Sequence, residues 1–261
     1  MNQKTKLSSK FYMGIIYFFL YMPIVVLIVF SFNEGKTRGI WTGFSLKWYK
    51  QLFQNSLVIS SLMTTLIIAT VSSVISTIIG TLAAVGMYSM SKRSRTALTQ
   101  LSYISIVSPE IVVGVSLRLL YVKAGVPFGL FTLILSHITF CIPYVILNVM
   151  PKLQQMDVHL YEAAQDLGCG PFLAFRKAVL PEIMPGIISG ALMALTYSID
   201  DFVISYFTSG SKAQTLPITI YSMTRRRISP EINALSTIMF FAILFILLFV
   251  NIRNANKLKK R

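Results

Sequence analysis

An all-α integral membrane fold of six transmembrane helices is predicted by three features of this 261-residue chain. Hydrophobic residues make up 54% of it and charged residues only 13%, where a soluble domain carries about a quarter. The charges gather between long uncharged runs. Six of those runs hold the roughly 20 residues that cross a hydrocarbon core at about 1.5 Å per residue. Helices are required because lipid offers no partner to an open backbone donor or acceptor.

The spans expected are 11–32, 62–90, 101–121, 128–150, 184–207 and 232–251, in one domain over 1–261. The first is uncharged and interrupted only by Pro23. Residues 1–10 look like the basic start of a signal peptide, but the run behind them is too long for one. No A-x-A-like cleavage site follows either, so a retained span is expected. The second lies within 57–90, longer than one crossing needs, which leaves its start open to an interfacial helix. Ser76, Gly80 and Ala84 recur there at a spacing that lets helices approach closely, and packing inside the chain is favoured over a dimer contact. In the third, Pro109 lacks the amide that would continue a helix, so a kink and a cavity are expected beside Glu110.

The net charge is +15. In a soluble chain that excess would suggest nucleic acid, but no basic stretch here is interleaved with aromatics on a soluble segment. In a membrane protein basic residues accumulate on the cytoplasmic side. With six spans both termini share a side. That side carries Lys4, Lys6, Lys10, Lys92, Arg93, Arg95, Lys152, Arg176, Lys177, Arg253, Lys257, Lys259, Lys260 and Arg261. The other carries Lys36, Arg38, Lys47, Lys50, Lys123, Lys212, Arg225, Arg226 and Arg227. The majority lies with the termini, which are therefore expected in the cytoplasm.

Between the fourth and fifth spans lies a segment, 151–182, too long for a simple hairpin. Asp157 is an expected N-cap for a helix with Leu160, Ala163, Ala164 and Leu167 at i, i+3, i+4 and i+7. Gly168 suits the C′ position. Pro171 opens a second short helix with Phe172, Phe175 and Val179 on one side, and Pro181 is expected to stop it. Such a pair either forms a docking knob or lies in the headgroup layer.

This segment reads Glu162-Ala163-Ala164, then Gly168, then Leu180-Pro181. It resembles the EAA loop of binding-protein-dependent ABC importer permeases, departing only at Ala178, where that pattern prefers Ile. Trp41-Thr42-Gly43-Phe44 with Trp48-Tyr49, Ser136-His137-Ile138-Thr139-Phe140, Ser198-Ile199-Asp200-Asp201-Phe202, Leu216-Pro217 with Ile220-Tyr221-Ser222, and Ser229-Pro230-Glu231-Ile232-Asn233-Ala234 extend the likeness. Together they resemble the spermidine/putrescine branch of that family, in its second permease subunit.

The resemblance implies a non-catalytic permease of the bacterial inner membrane. It would pair with a sister permease, two ATPase subunits and an external substrate-binding protein within the lipid bilayer, and would take up polyamines. The alternative is another small solute: iron, a phosphonate, thiamine or an anion. Glu162, Ala163, Ala164, Gly168, Leu180 and Pro181 would meet the ATPase.

Charges inside spans are costly and face a partner or a water-filled path. Glu110, Asp200 and Asp201, helped by Tyr197, are candidates to line a path for a polycation, each carboxylate pairing with an ammonium group. Adjacent residues on a helix point about 100° apart, so at most one of the two aspartates is expected to face such a path squarely. The other reading is that Arg118 neutralises Asp200 or Asp201 between the third and fifth spans.

No nucleophile elbow, H-E-x-x-H or dinucleotide motif is present, so no enzyme and no cofactor are expected. Gly35-Lys36-Thr37 ends like a phosphate loop, but Phe30 stands where its first Gly should be. His137 and His159 lack ligand spacing for a metal, and Cys141 and Cys169 imply neither a disulfide nor a metal site.

Overall fold

A computed structural model of the chain describes residues 7–36, 39–157, 159–211, 213–226 and 230–258. Lys4, Lys6, Arg38, Lys212, Arg227, Lys259, Lys260 and Arg261 of the charge count, Thr37 of the phosphate-loop comparison and Ser229 of the family likeness lie outside the described residues. Among the described residues the chain is helical: α1 (Leu7–Ser31), α2 (Lys47–Gln54), α3 (Ser56–Tyr88), α4 (Lys92–Val107), α5 (Glu110–Lys123) and α6 (Leu130–Gln155) come first. Then follow α7 (His159–Asp166), α8 (Pro171–Ala174), a π-turn (Phe175–Val179), α9 (Leu180–Asp200), α10 (Val203–Thr208), α11 (Leu216–Arg226) and α12 (Glu231–Leu258).

Four of these helical stretches are long and apolar enough to cross a membrane: Phe11–Ser31, Ser56–Tyr88, Leu130–Gln155 and Pro171–Asp200. A fifth is reached if α4 and α5 count as one crossing, since they meet at a bend of 99°. Where a kinked third span over 101–121 is expected, the helix is broken outright. Ser108 (φ −61, ψ 137) and Pro109 (φ −56, ψ 128) are both extended, because a proline ring crowds the residue before it out of the α region. The second span begins without an interfacial piece; α3 is continuous for 33 residues.

The fifth span also differs from 184–207. Pro181 does not stop the preceding helix. The π-turn lets the Leu180 amide reach back to Phe175 O, and Pro181 then occupies the first turn of α9, where its missing amide costs nothing. The helix ends instead at Asp200, with Asp201 extended (φ −61, ψ 120).

Where a single domain is expected, the contacts cluster in two units, Met1–Ile59 with Ile220–Val250 and Ser60–Thr219 with Asn251–Arg261. In the first, α1 leaves most of its apolar side chains exposed, Phe11, Tyr12 and Phe19 among them. After it, Asn33 is buried and ties the following turn, donating from Nδ2 to Ile40 O and accepting the Thr42 amide at 2.8 Å each. Trp48 of α2 donates from Nε1 to Asn33 O at 2.6 Å.

The second unit is built around α6. Val145, Ile146, Val149, Met150 and Leu153 pack with Ala84 and Met87 of α3 and with Ile183 and Ala194 of α9. Two glycines make this approach possible. A Cβ on Gly80 would stand 2.7 Å from Val145 Cβ, and one on Gly190 would stand 3.0 Å from Val145 Cα. Ser76, Gly80 and Ala84 are thus spent on packing inside the chain, where close backbone contact replaces a hydrophobic drive that lipid cannot supply.

Candidate functional site

Two places in the second unit hold the residues singled out above. The first is the segment after α6. Asp157 Oδ1 accepts the His159 amide at 3.0 Å and starts α7. At the other end the Gly168 amide donates to Gln165 O at 2.8 Å and the Cys169 amide to Ala164 O at 3.1 Å. These are the two bonds of a Schellman cap, and Gly168 has the positive φ of +86 that such a cap needs.

Tyr161 and Phe175 pack against the α6 core and anchor the pair of helices. That packing covers only part of the predicted apolar faces, burying Val179 and partly covering Ala164 and Phe175. Leu160 is 40% exposed, Leu167 86% and Phe172 77%, and Glu162 and Ala163 are exposed beside them. Of the expected positions on α7 Ala164 is partly covered, beside the inward Tyr161, while Leu160, Ala163 and Leu167 form an apolar edge left for another surface. His159 Nδ1 lies 3.3 Å from Glu162 Oε2 on this open side.

The second place is where α4–α5 and α9–α10 are both broken. Glu110 opens α5, so its carboxylate sits at the positive end of a helix. It lines a small cavity with Ser105, Ser108, Val113, Phe140, Tyr144 and Ile204. Tyr144 stacks on Tyr197 with ring centroids 4.3 Å apart. Asp200 is exposed at the end of α9.

Asp201 does something else. Its Oδ1 accepts the Ile204 amide at 3.2 Å and its Oδ2 the Ser205 amide at 2.7 Å, so from just before Phe202 its side chain caps the open amides of the first turn of α10. Only 5% of its side chain is exposed.

Arg118 does not neutralise either aspartate. It donates from Nη1 to Phe207 O at 3.1 Å, and its guanidinium lies 5.0 Å over the Phe128 ring. Among the described residues no ion pair joins Arg118 to Asp200 or Asp201. The acid and the base hold opposite ends of α10, and six helical residues separate those ends by about 9 Å.

His137 is fully buried and bonded on both ring nitrogens: Nδ1 is 2.6 Å from Ser198 Oγ and Nε2 is 3.0 Å from Ser205 Oγ. Tyr144 and Phe140 were not among the predicted site residues. One signal could have found them: His137, Phe140 and Tyr144 stand at i, i+3 and i+7, one polar and aromatic stripe on α6. Among the described residues no group of acids, His and Cys is arranged to hold a metal.

The chain matches the model of the "Binding-protein-dependent transport system inner membrane component" family over residues 76–255. It is 40% identical over 228 residues to the spermidine/putrescine transport system permease protein PotC of Escherichia coli K12, covering 87% of this chain and 86% of that protein. The Haemophilus influenzae protein of the same name is 38% identical, with 87% and 89% covered. The putrescine transport system permease protein PotI of Escherichia coli K12 is 38% identical over 232 residues, with 86% and 83% covered. Among solved structures, a bacterial ABC transporter involved in the import of the acidic polysaccharide alginate superimposes with a TM-score of 0.73 at 13% identity, covering 94% of each chain. The same kind of transporter in complex with an alginate pentasaccharide-bound periplasmic protein gives 0.70 at 18% identity, covering 94% of this chain and 92% of that one.

Proposed function

The chain belongs to the family of binding-protein-dependent transport system inner membrane components, and from that membership we propose that it is a permease subunit of an ATP-driven polyamine importer. The observation that carries this reading is the 38–40% identity to spermidine/putrescine permeases over 87% of the chain. In this reading the chain crosses the inner membrane six times, α4–α5 forming one broken crossing and α12 the last, with both termini in the cytoplasm.

The exposed edge of α7 and α8 supports a docking role for the Glu162-Ala163-Ala164 segment. Leu160, Ala163, Leu167 and Phe172 are apolar surface that water disfavours at about 25 cal/mol per Å², and an ATPase groove would cover them. Gly168 sets the turn, and Leu180 and Pro181 join the knob to α9. ATP binding would close an ATPase pair and pull on α7. The rigid α6–α9 packing would carry that motion to the two broken helices. A sister permease completes the path, and an external binding protein delivers the solute, as a periplasmic protein does in the alginate complex.

The acidic lining of that path is Glu110 and Asp200, with Tyr144 and Tyr197 beside them. Two carboxylates and two stacked rings suit a flexible chain bearing ammonium groups, through ion pairing and cation–π contact. Asp201, also expected to line the path, serves it instead by capping α10.

The test is uptake of labelled spermidine and putrescine into proteoliposomes holding the full complex, with ATP inside or outside. ATP-dependent uptake that falls with Asp200→Asn supports the reading. ATP hydrolysis without uptake of either polyamine would remove the substrate assignment and leave the permease.

A further inference from the structure

His137 sits in the N-terminal third of α6 with no exposed surface, yet the break between α9 and α10 is organised around it. Ser198 lies in the last turn of α9 and Ser205 in the first turn of α10, and the imidazole bonds to both. Its Nε2 also lies 3.6 Å from Asp201 Oδ2, in the break itself. A neutral imidazole offers one donor and one acceptor. With a carboxylate on the Nε2 side the proton belongs there, and Nδ1 accepts from the Ser198 hydroxyl. Asp201, Ser198, Ser205 and His137 then form a closed set in which each buried polar atom has a partner.

Two identical acids stand in sequence at this break, and either could start α10. Asp201 caps it in the observed register. Starting one residue earlier would let Asp200 cap in its place and turn the pair by about 100°. The register is chosen by contacts from α6, since α10 has only six residues and little stability of its own.

We propose that His137 is a positioning residue for transport. It never meets the solute. By clasping both sides of the break it keeps Asp201 inward as the cap and leaves Asp200 free toward the cleft with Glu110. This rests on the reading that Glu110 and Asp200 line the path.

The experiment is polyamine uptake per ATP hydrolysed in proteoliposomes of the complete complex, for His137→Leu, His137→Gln and Asp200→Asn. Leu removes both ring partners, while Gln keeps an amide donor and acceptor of similar reach. His137→Leu is expected to lower uptake per ATP about tenfold, through the loss of its two hydrogen bonds to Ser198 and Ser205. His137→Gln should recover to within about threefold, since one of the two bonds is restored. A merely structural role would lower hydrolysis and uptake together and leave their ratio unchanged, which overturns the proposal.

In the His137→Leu background, Asp200→Asn should add less than about threefold, because residues in one network are not additive. A ratio that falls with Asp200→Asn but not with His137→Leu sinks the latch and keeps the acidic path. A ratio unmoved by Asp200→Asn sinks the path, and the latch with it. Should His137→Leu fail to assemble, Ser198→Ala and Ser205→Ala each remove one bond and keep the ring. An unchanged ratio in both would equally overturn the proposal.

Discussion

The α7–α8 knob and the α9–α10 break both carry acids beside aromatic and apolar residues, but they spend them in opposite ways. In the knob, Glu162 and its neighbours are open to solvent, Leu167 and Phe172 are left uncovered, and the geometry is held by bonds between residues a few positions apart. In the break, Asp201 and His137 are buried; Asp201 accepts from amides three and four residues on, and His137 from α6 finds its partners 61 and 68 residues away. A surface awaiting a partner keeps its energy for the contact, whereas a buried polar site must be satisfied within its own chain, since an unpaired buried group costs about 1–3 kcal/mol. Substitutions in the knob should therefore change coupling at nearly constant stability, and substitutions in the break should change stability as well.

The largest effect is expected from Gly168→Asp. It forces a side chain onto φ +86 and adds a negative charge at the C-terminal end of α7, which is already negative. Substrate-stimulated ATP hydrolysis and co-purification of the ATPase should fall by at least about tenfold, as for a lost anchor in an interface. The thermal midpoint of the permease should fall only slightly, by the local strain of about 1–2 kcal/mol at an exposed helix end. A large drop in that midpoint would break the comparison by making the knob part of the core.

Next comes Asp200→Asn, which removes a charge without removing a cap. Uptake per ATP should fall about tenfold, with thermal stability unchanged. Asp201→Ala reverses that pattern. It strips the acceptors from the Ile204 and Ser205 amides and should cost about 1–2 kcal/mol, read as a lower thermal midpoint. Asp201→Asn keeps a carbonyl acceptor and should recover much of the loss. Equal stability of the three proteins would show that α10 needs no cap.

The smallest effect is expected from Leu167→Gln. At 86% exposure the side chain contributes within about 0.5 kcal/mol to the fold, so only affinity for the ATPase, measured by titration, should weaken. If stability fell more than binding, Leu167 would belong to the knob's own core.

The knob was legible in the sequence for a physical reason: each part of it is local. Asp157 starts α7, Gly168 ends it and Pro171 opens the next helix, all through bonds spanning five residues or fewer. What stays open there is the cover, because i, i+3, i+4, i+7 spacing marks a face as apolar without saying who covers it. The break was legible only as a cost. Acids in an apolar span announced a site, but Asp201, expected to line a path or to be neutralised by Arg118, and Arg118 itself hold opposite ends of α10 instead. Their spacing along the chain carries no trace of that.

By itself the sequence determined that this chain is built of membrane-length helices, where the two short helices after α6 begin and end, and which polar residues are out of place. Composition and short-range periodicity suffice for these, because a helix in lipid closes its own hydrogen bonds. The tertiary structure alone decided that α4 and α5 meet at 99°, that Val145 lies between Gly80 and Gly190, and that Asp201 caps while Asp200 stays free. Each of those depends on which distant helix arrives at the spot, and no local rule encodes a contact such as that of Arg118 with Phe207, 89 residues away.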